Sequence, residues 1–149
     1  DWRDYFNEKL KPFLGRLYIA AIIPGWVLFV HGGVSNRIQS VDDLKYPSEE
    51  VKKDVLWSDP VEGYGQHANR RGAGVEFGKD VTEYVCKALG VKRIIRSHQP
   101  RKVLNGKPYL EHDGRVITVA TTTVYGGVPF ILILDPKNPS QIYYRQIPP

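Results

Sequence analysis

Apolar residues at the start of the chain recur with helical spacing. Trp2, Tyr5, Phe6, Leu10, Phe13, Leu14 and Leu17 fall at three- and four-residue intervals, and Gly15 weakens the last turn. Two short runs rich in Ile and Val follow, over residues 18–23 and 26–30. Pro24-Gly25 between them suits the centre of a type II turn, so the pair reads as a β-hairpin that stops at His31-Gly32-Gly33. Residues 35–47 are polar, with a short turn near 41–44. Ser48 is a good N-cap and Glu49-Glu50 favour the positive end of a helix dipole, which predicts a helix toward Trp57, ended by Ser58-Asp59-Pro60.

Residues 61–78 hold glycines at 63, 65, 72, 74 and 78 and the pair Arg70-Arg71, which predicts a long loop. The clearest helix comes next, with Val81, Tyr84, Val85, Ala88 and Leu89 as its apolar stripe and Gly90 as its stop. Residues 91–96 then read as a strand. Strand signals fill the last third: hairpin turns at Asn105-Gly106 and Asp113-Gly114, alternation over 116–120, a buried-type run over 129–134, and a closing strand over 142–146. The sum is a mixed α/β layered domain.

Composition narrows the class. Of 149 residues 42% are hydrophobic and 25% charged, too apolar for disorder. The longest apolar stretch, residues 17–30, is broken by Pro24-Gly25 and too short to span a bilayer, so no membrane partner is expected. Cys86 is the only cysteine, which excludes a disulfide scaffold and suits a reducing compartment, the cytoplasm. A net charge of +5 suits an anionic partner. No aromatic-basic platform for bases is evident, so nucleic acid is not the expected one. The absence of methionine, even at position 1, is expected of a piece of a longer protein.

Chemistry concentrates at strand ends, where α/β proteins place their sites. His31 follows the run 27–30, and His98 follows 93–96 with Ser97 between. Glycines after His31 would let the backbone approach a ligand, and imidazole serves both metal binding and proton transfer. Either histidine alone would also pass as structural. His67 and His112 lack this framing and are expected at the surface. Arg70-Arg71 in the glycine-rich loop offers a planar fork for phosphate, or else a solvated pair. Arg96 is expected to face solvent or pair with an acid. Tyr125, on a glycine-bearing loop, suits covering a ligand, though packing is the commoner role of a tyrosine. Asp59 before Pro60 reads as turn chemistry or as a site carboxylate, and Cys86 as structural. There is no Gly-Lys-Ser/Thr loop, Gly-x-Ser-x-Gly elbow or cysteine pair. The residues alone stop at a metal or phosphate site on strand ends.

The ordered set Val30-His31-Gly32-Gly33-Val34-Ser35, Leu56-Trp57-Ser58-Asp59-Pro60, Asn69-Arg70-Arg71-Gly72, Phe77-Gly78, Arg96-Ser97-His98-Gln99 and Tyr125-Gly126-Gly127 closely resembles the phosphoprotein phosphatase family. These are metal-dependent serine/threonine protein phosphatases of the calcineurin-like metallophosphoesterase superfamily. The resemblance implies an α/β fold, a calcineurin-like β-sandwich flanked by helices. Residues 1–149 would be the carboxyl-terminal part of one catalytic domain, since the family's Gly-Asp-x-His-Gly, Gly-Asp-x-x-Asp-Arg-Gly and Gly-Asn-His-Glu motifs are not in this sequence.

The activity so implied is hydrolysis of phosphoserine or phosphothreonine monoesters by a metal-activated water at a dinuclear centre. Two divalent ions are expected, manganese first, with iron or zinc as alternatives. By the resemblance His31 and His98 are ligands of one metal, Arg71 is catalytic and grips the phosphate, and Tyr125 borders it. The expected partner is a phosphoprotein or a phosphorylated small molecule. Two departures bear on specificity: Asn69-Arg70-Arg71-Gly72 replaces Asn-Asp-Arg-Gly, and residues 121–127 replace Ser-Ala-Pro-Asn-Tyr-Cys-Gly. The alternatives are a phosphodiesterase or dinucleoside polyphosphate hydrolase of the same fold, and a non-catalytic module binding an anion or nucleic acid.

Overall fold

The hairpin around Pro24-Gly25 starts the main sheet of the computed structural model, which describes residues 1–148. Strand β1 (Ala20–Ile23) pairs antiparallel with β2 (Val27–Val30), Ala20 opposite Val30. The turn is closed by the Trp26 N–H donating to the Ile23 carbonyl at 3.0 Å, with Gly25 at φ +73° as a type II turn requires. β2 runs parallel to β6 (Arg93–Arg96), and β6 parallel to β8 (Val116–Thr118). With β7 (Tyr109–Glu111) antiparallel at the edge, the order is β1-β2-β6-β8-β7.

Side chains alternate across this sheet, so its two faces carry two cores. Leu28, Val30, Ile94 and Val116 pack with Val51 and Val55 of α4 (Glu49–Trp57) and with Val81, Val85, Cys86 and Leu89 of α5 (Lys79–Leu89). Val27, Ile95 and Ile117 face the other way, against Leu132, Leu134 and Ile142. Those last residues belong to or flank the antiparallel pair β9 (Phe130–Ile133) and β10 (Tyr143–Gln146). The result is the expected sandwich flanked by helices. Helix α4 begins where expected, Ser48 Oγ accepting from the Val51 N–H at 3.2 Å, and Gly90 ends α5 in the left-handed conformation. Cys86 is buried, which pushes its thiol up to about 11, so it is structural.

Several local expectations need correction. The first segment is helical as α1 (Trp2–Tyr5), a π-helical turn (Phe6–Leu10) and α2 (Lys11–Leu14), yet none of it is buried, so its apolar spacing meets no core among the described residues. The loop over 61–78 is partly a sheet: β3 (Asp59–Pro60), β5 (Val75–Phe77) and β4 (Gln66–Ala68), in that order. Residues 41–44 form a helix, α3 (Val41–Lys45), because Ser40 and Asp43 cap each other. On α5 the inward stripe includes Thr82 and Cys86, and Tyr84 and Ala88 face out. Asp113-Gly114 does join β7 to β8, but Asn105-Gly106 only closes a turn after the 3₁₀ segment Pro100–Val103. β9 buries Phe130 while Ile131 and Ile133 stay exposed. No helix among the described residues is long and apolar enough to cross a membrane.

Gly32 and Gly33 show why the His31 strand ends in glycines. A Cβ on Gly32 would lie 2.5 Å from the Leu56 backbone carbon, and one on Gly33 would lie 2.4 Å from the Phe77 ring. They admit the end of α4 and a core aromatic rather than a ligand, which corrects the expectation from sequence. Gly33→Ala should therefore lower stability by about 1–3 kcal/mol, measured by denaturant unfolding. Gly15→Ala, whose new Cβ meets only ordinary contacts at 3.5 Å and beyond, should not.

Candidate functional site

Three neighbouring parallel strands end side by side and feed one cleft. His31 follows β2, Ser97 and His98 follow β6, and Val119 to Thr122 follow β8. With Arg71 and Tyr125 these residues line a cavity of about 560 Å³. All four site residues expected from sequence thus meet in one place, although they lie up to 94 positions apart (125 − 31). Arg70 is not among them: it is exposed, its Nε 3.7 Å from Glu76.

The histidines are held by their backbones. The Gly32 and Gly33 N–H groups donate to the Val55 carbonyl at 2.7 and 3.3 Å, docking the His31 turn on α4. The Ser97 N–H donates to the His31 carbonyl at 3.0 Å, tying the two strand ends together. His98 has φ +61°, in a three-residue turn closed by the Gln99 N–H on the Ser97 carbonyl at 2.7 Å. A non-glycine residue in that region is strained, and such strain collects at functional sites. Its ring lies edge-on to Trp57, with centroids 5.5 Å apart.

His98 Nδ1 stands 3.1 Å from His31 Nε2, and His31 Nδ1 stands 3.1 Å from Ser97 Oγ. Burial, with the positive charge of Arg71 behind it, lowers the His98 pKa to about 4 despite the opposing charge of Asp59. Burial and Arg96 lower His31 as well. Both rings are therefore neutral near pH 7 and offer lone pairs. Two nitrogens each about 2.1 Å from one ion lie about 3 Å apart, so the pair fits as two donors to a metal. His98 Nε2 is buried without a partner among the described residues, leaving Nδ1 as the nitrogen that faces the other ring. No group of three or more His, Cys, Asp or Glu among the described residues could hold a metal by itself. The pair is one part of a coordination shell.

Behind the cleft lies a network that the motifs underplayed. Arg96 is buried at 1% exposure, so the expectation that it faces solvent fails and its pairing with an acid holds. Its Nη2 donates to Asp59 at 3.0 Å and to the Ser58 carbonyl at 3.2 Å, its Nη1 to Gln99 at 2.7 Å, and its Nε to the Gly32 carbonyl. Asp59 also accepts from Asn69 Nδ2 at 2.9 Å and from the Arg71 guanidinium. Burial alone would raise the Asp59 pKa, but Asn69, Arg71 and Arg96 together hold it below the usual carboxylate range. Asn69 Oδ1 also accepts from the Arg71 backbone N–H at 2.9 Å. Asp59 and Asn69 thus aim Arg71. The one signal in the sequence is Asp59 itself, a carboxylate before Pro60 that reads as turn chemistry or as a site group.

Of the other histidines, His67 is exposed as expected. His112 is not: it is buried against Phe77, bonded to Thr82 Oγ1 at 2.7 Å and the Val61 carbonyl at 2.9 Å. Those partners lie 30 and 51 residues away, so its local sequence gave no hint of burial.

Residues 2–102 match the family of calcineurin-like phosphoesterases. The chain is 34% identical over 106 residues to a serine/threonine-protein phosphatase of Caenorhabditis elegans, covering 66% of this chain and 23% of that protein. It is 36% identical over 134 residues to serine/threonine-protein phosphatase T of Aspergillus oryzae, covering 80% and 27%. For phosphatase T of Schizosaccharomyces pombe the figures are 35% over 138 residues, 83% and 28%. The chain therefore spans about a quarter of the length of these relatives. Its fold superposes on a protein serine/threonine phosphatase from Saccharomyces cerevisiae with similarity to human phosphatase PP5. There the TM-score is 0.76 at 21% identity, covering 97% of this chain and 53% of that one.

The depressed pKa of His98 makes stability depend on pH. The unfolded imidazole takes a proton near 6.5, whereas the folded one resists until about 4. The unfolded state then binds more protons in that window, so stability is full above 6.5 and is lost as pH falls toward 4. Denaturation midpoints of metal-free protein should fall between pH 7 and pH 5, and fall less in His98→Gln. Parallel declines in the two proteins would contradict the assignment.

Proposed function

Because the chain belongs to the calcineurin-like phosphoesterase family, we propose that it forms part of a metal-dependent phosphatase that hydrolyses phosphoserine and phosphothreonine monoesters. One observation carries this reading: two neutral imidazoles 3.1 Å apart share a cleft with a guanidinium and a phenol. The names of the matched relatives support it from outside the geometry. A phosphoprotein is the proposed substrate. The cytoplasm is the proposed compartment, in keeping with an unpaired, buried Cys86.

Calcineurin-like phosphoesterases use divalent metal ions, and His31 Nε2 with His98 Nδ1 would hold one of them here. Such ions, when bound, lower the pKa of water and neutralise charge that builds up on the phosphoryl oxygens. Manganese is the proposed metal, with iron or zinc as the alternatives that imidazole donors also suit.

The chain's own residues account for the rest. Ser97 Oγ lies 3.1 Å from His31 Nδ1, and by accepting a proton there it would select the tautomer that leaves Nε2 free for a metal. Burial and the positive charge of Arg71 keep His98 unprotonated, so its lone pair remains available at neutral pH. Asp59 occupies one part of the Arg71 guanidinium, and a guanidinium has five N–H donors. The remaining donors can fork onto two phosphate oxygens. Tyr125 borders the same cleft half-exposed, where its phenol can donate to a third oxygen.

In the whole protein supplied with Mn²⁺, His98→Ala should lower turnover of p-nitrophenyl phosphate by about 100-fold or more. Arg71→Ala should lower kcat/KM by a factor of about 10²–10³. Near-normal rates in either variant would remove that residue from the site. Residues 1–149 alone, with two metal donors in the cleft, should bind divalent metal weakly and show negligible turnover.

A further inference from the structure

A second cavity, of about 370 Å³, adjoins the first and shares Arg71, His98, Pro100 and Tyr125 with it. Arg101 and Lys102 are cations that line this cavity and not the main cleft. Most of the positive charge lining it is already matched. Asp59 holds Arg71, and Lys102 Nζ lies 2.6 Å from the buried carboxylate of Glu111. Arg101 differs: it is exposed, and among the described residues no carboxylate pairs with it.

The backbone that carries Arg101 is fixed even though no carboxylate among the described residues holds its charge. It sits in the 3₁₀ segment Pro100–Val103, between Gln99, which is bound to Arg96 at 2.7 Å, and the buried side chain of Val103. A guanidinium on a held backbone, in a concave wall beside a phosphate-binding arginine, is suited to bidentate capture of a second anion.

We propose that the Arg101 cavity is a substrate subsite for an acidic side chain next to the phosphorylated residue of a peptide. This rests on the phosphatase reading above. A second phosphoryl group would present similar chemistry, so the test separates the two sources.

The test uses the whole protein with Mn²⁺ and phosphothreonine peptides whose neighbouring residue is Glu, Ala, Lys or phosphoserine. Within each protein the ratio of kcat/KM between peptides is read, and affinities for the same peptides are read by fluorescence anisotropy. Wild type should favour Glu over Ala by about two- to five-fold at low salt, with the preference shrinking as salt rises. Arg101→Ala should erase that ratio, and Arg101→Glu should shift preference to Lys. A ratio unchanged by Arg101→Glu overturns the subsite. Preference for phosphoserine with none for Glu overturns its assignment to an acidic side chain. Absence of turnover on every peptide with the charge preference still present in anisotropy overturns the phosphatase reading and leaves the subsite standing.

Discussion

A guanidinium taken out of water must be neutralised where it stands, and Arg96 draws the candidate site around itself for that reason. Removing a charge from solvent costs several kcal/mol even after relaxation, and the cost is offset only by an opposite charge and a full set of hydrogen bonds. Arg96 has both. Its four contacts reach Asp59, the Ser58 and Gly32 carbonyls and Gln99, which belong to segments as far apart as residues 32 and 99. Burial lowers its pKa to about 10, with Asp59 opposing, so it stays protonated at neutral pH. Replacing such a pair whole by apolar groups is often neutral, whereas removing one partner leaves a buried charge uncompensated and is strongly destabilising.

His31, His98 and Arg71 are each one step from that pair. Gly32, whose carbonyl Arg96 binds, is the residue after His31; Gln99, whose side chain Arg96 binds, is the residue after His98. Asp59 passes the constraint to Arg71 directly and to Asn69, which fixes the Arg71 backbone. The two imidazoles and the guanidinium meet because one buried cation sits beneath them. The same positive charges help keep His31 and His98 neutral, so the packing that places the donors also prepares their protonation state.

Much of this was legible along the chain, and what was missed shares a cause. The Pro24-Gly25 hairpin, the helices after Ser48 and before Gly90, and the meeting of strand-end histidines depend on local spacing, caps and motif order. Arg96 and Asp59 depend on each other across 37 residues, and neither reads as a core residue alone. His112 was misplaced for the same reason. The glycine-rich stretch concealed β4 and β5 because three-residue strands carry almost no periodicity and are set by pairing. The exposed first helix shows the converse: strong apolar spacing reports a face that can be buried, not one that the described residues bury.

If the Arg96–Asp59 pair organises the site, the two side chains are energetically coupled, which a double-mutant cycle in stability measures. Denaturant unfolding would be measured for wild type, Arg96→Met, Asp59→Asn and the double variant. A coupling of about 2 kcal/mol, with each single change costing more than its share of the double, is the expected result. A coupling below about 0.5 kcal/mol, the scatter expected of independent sites, would contradict it.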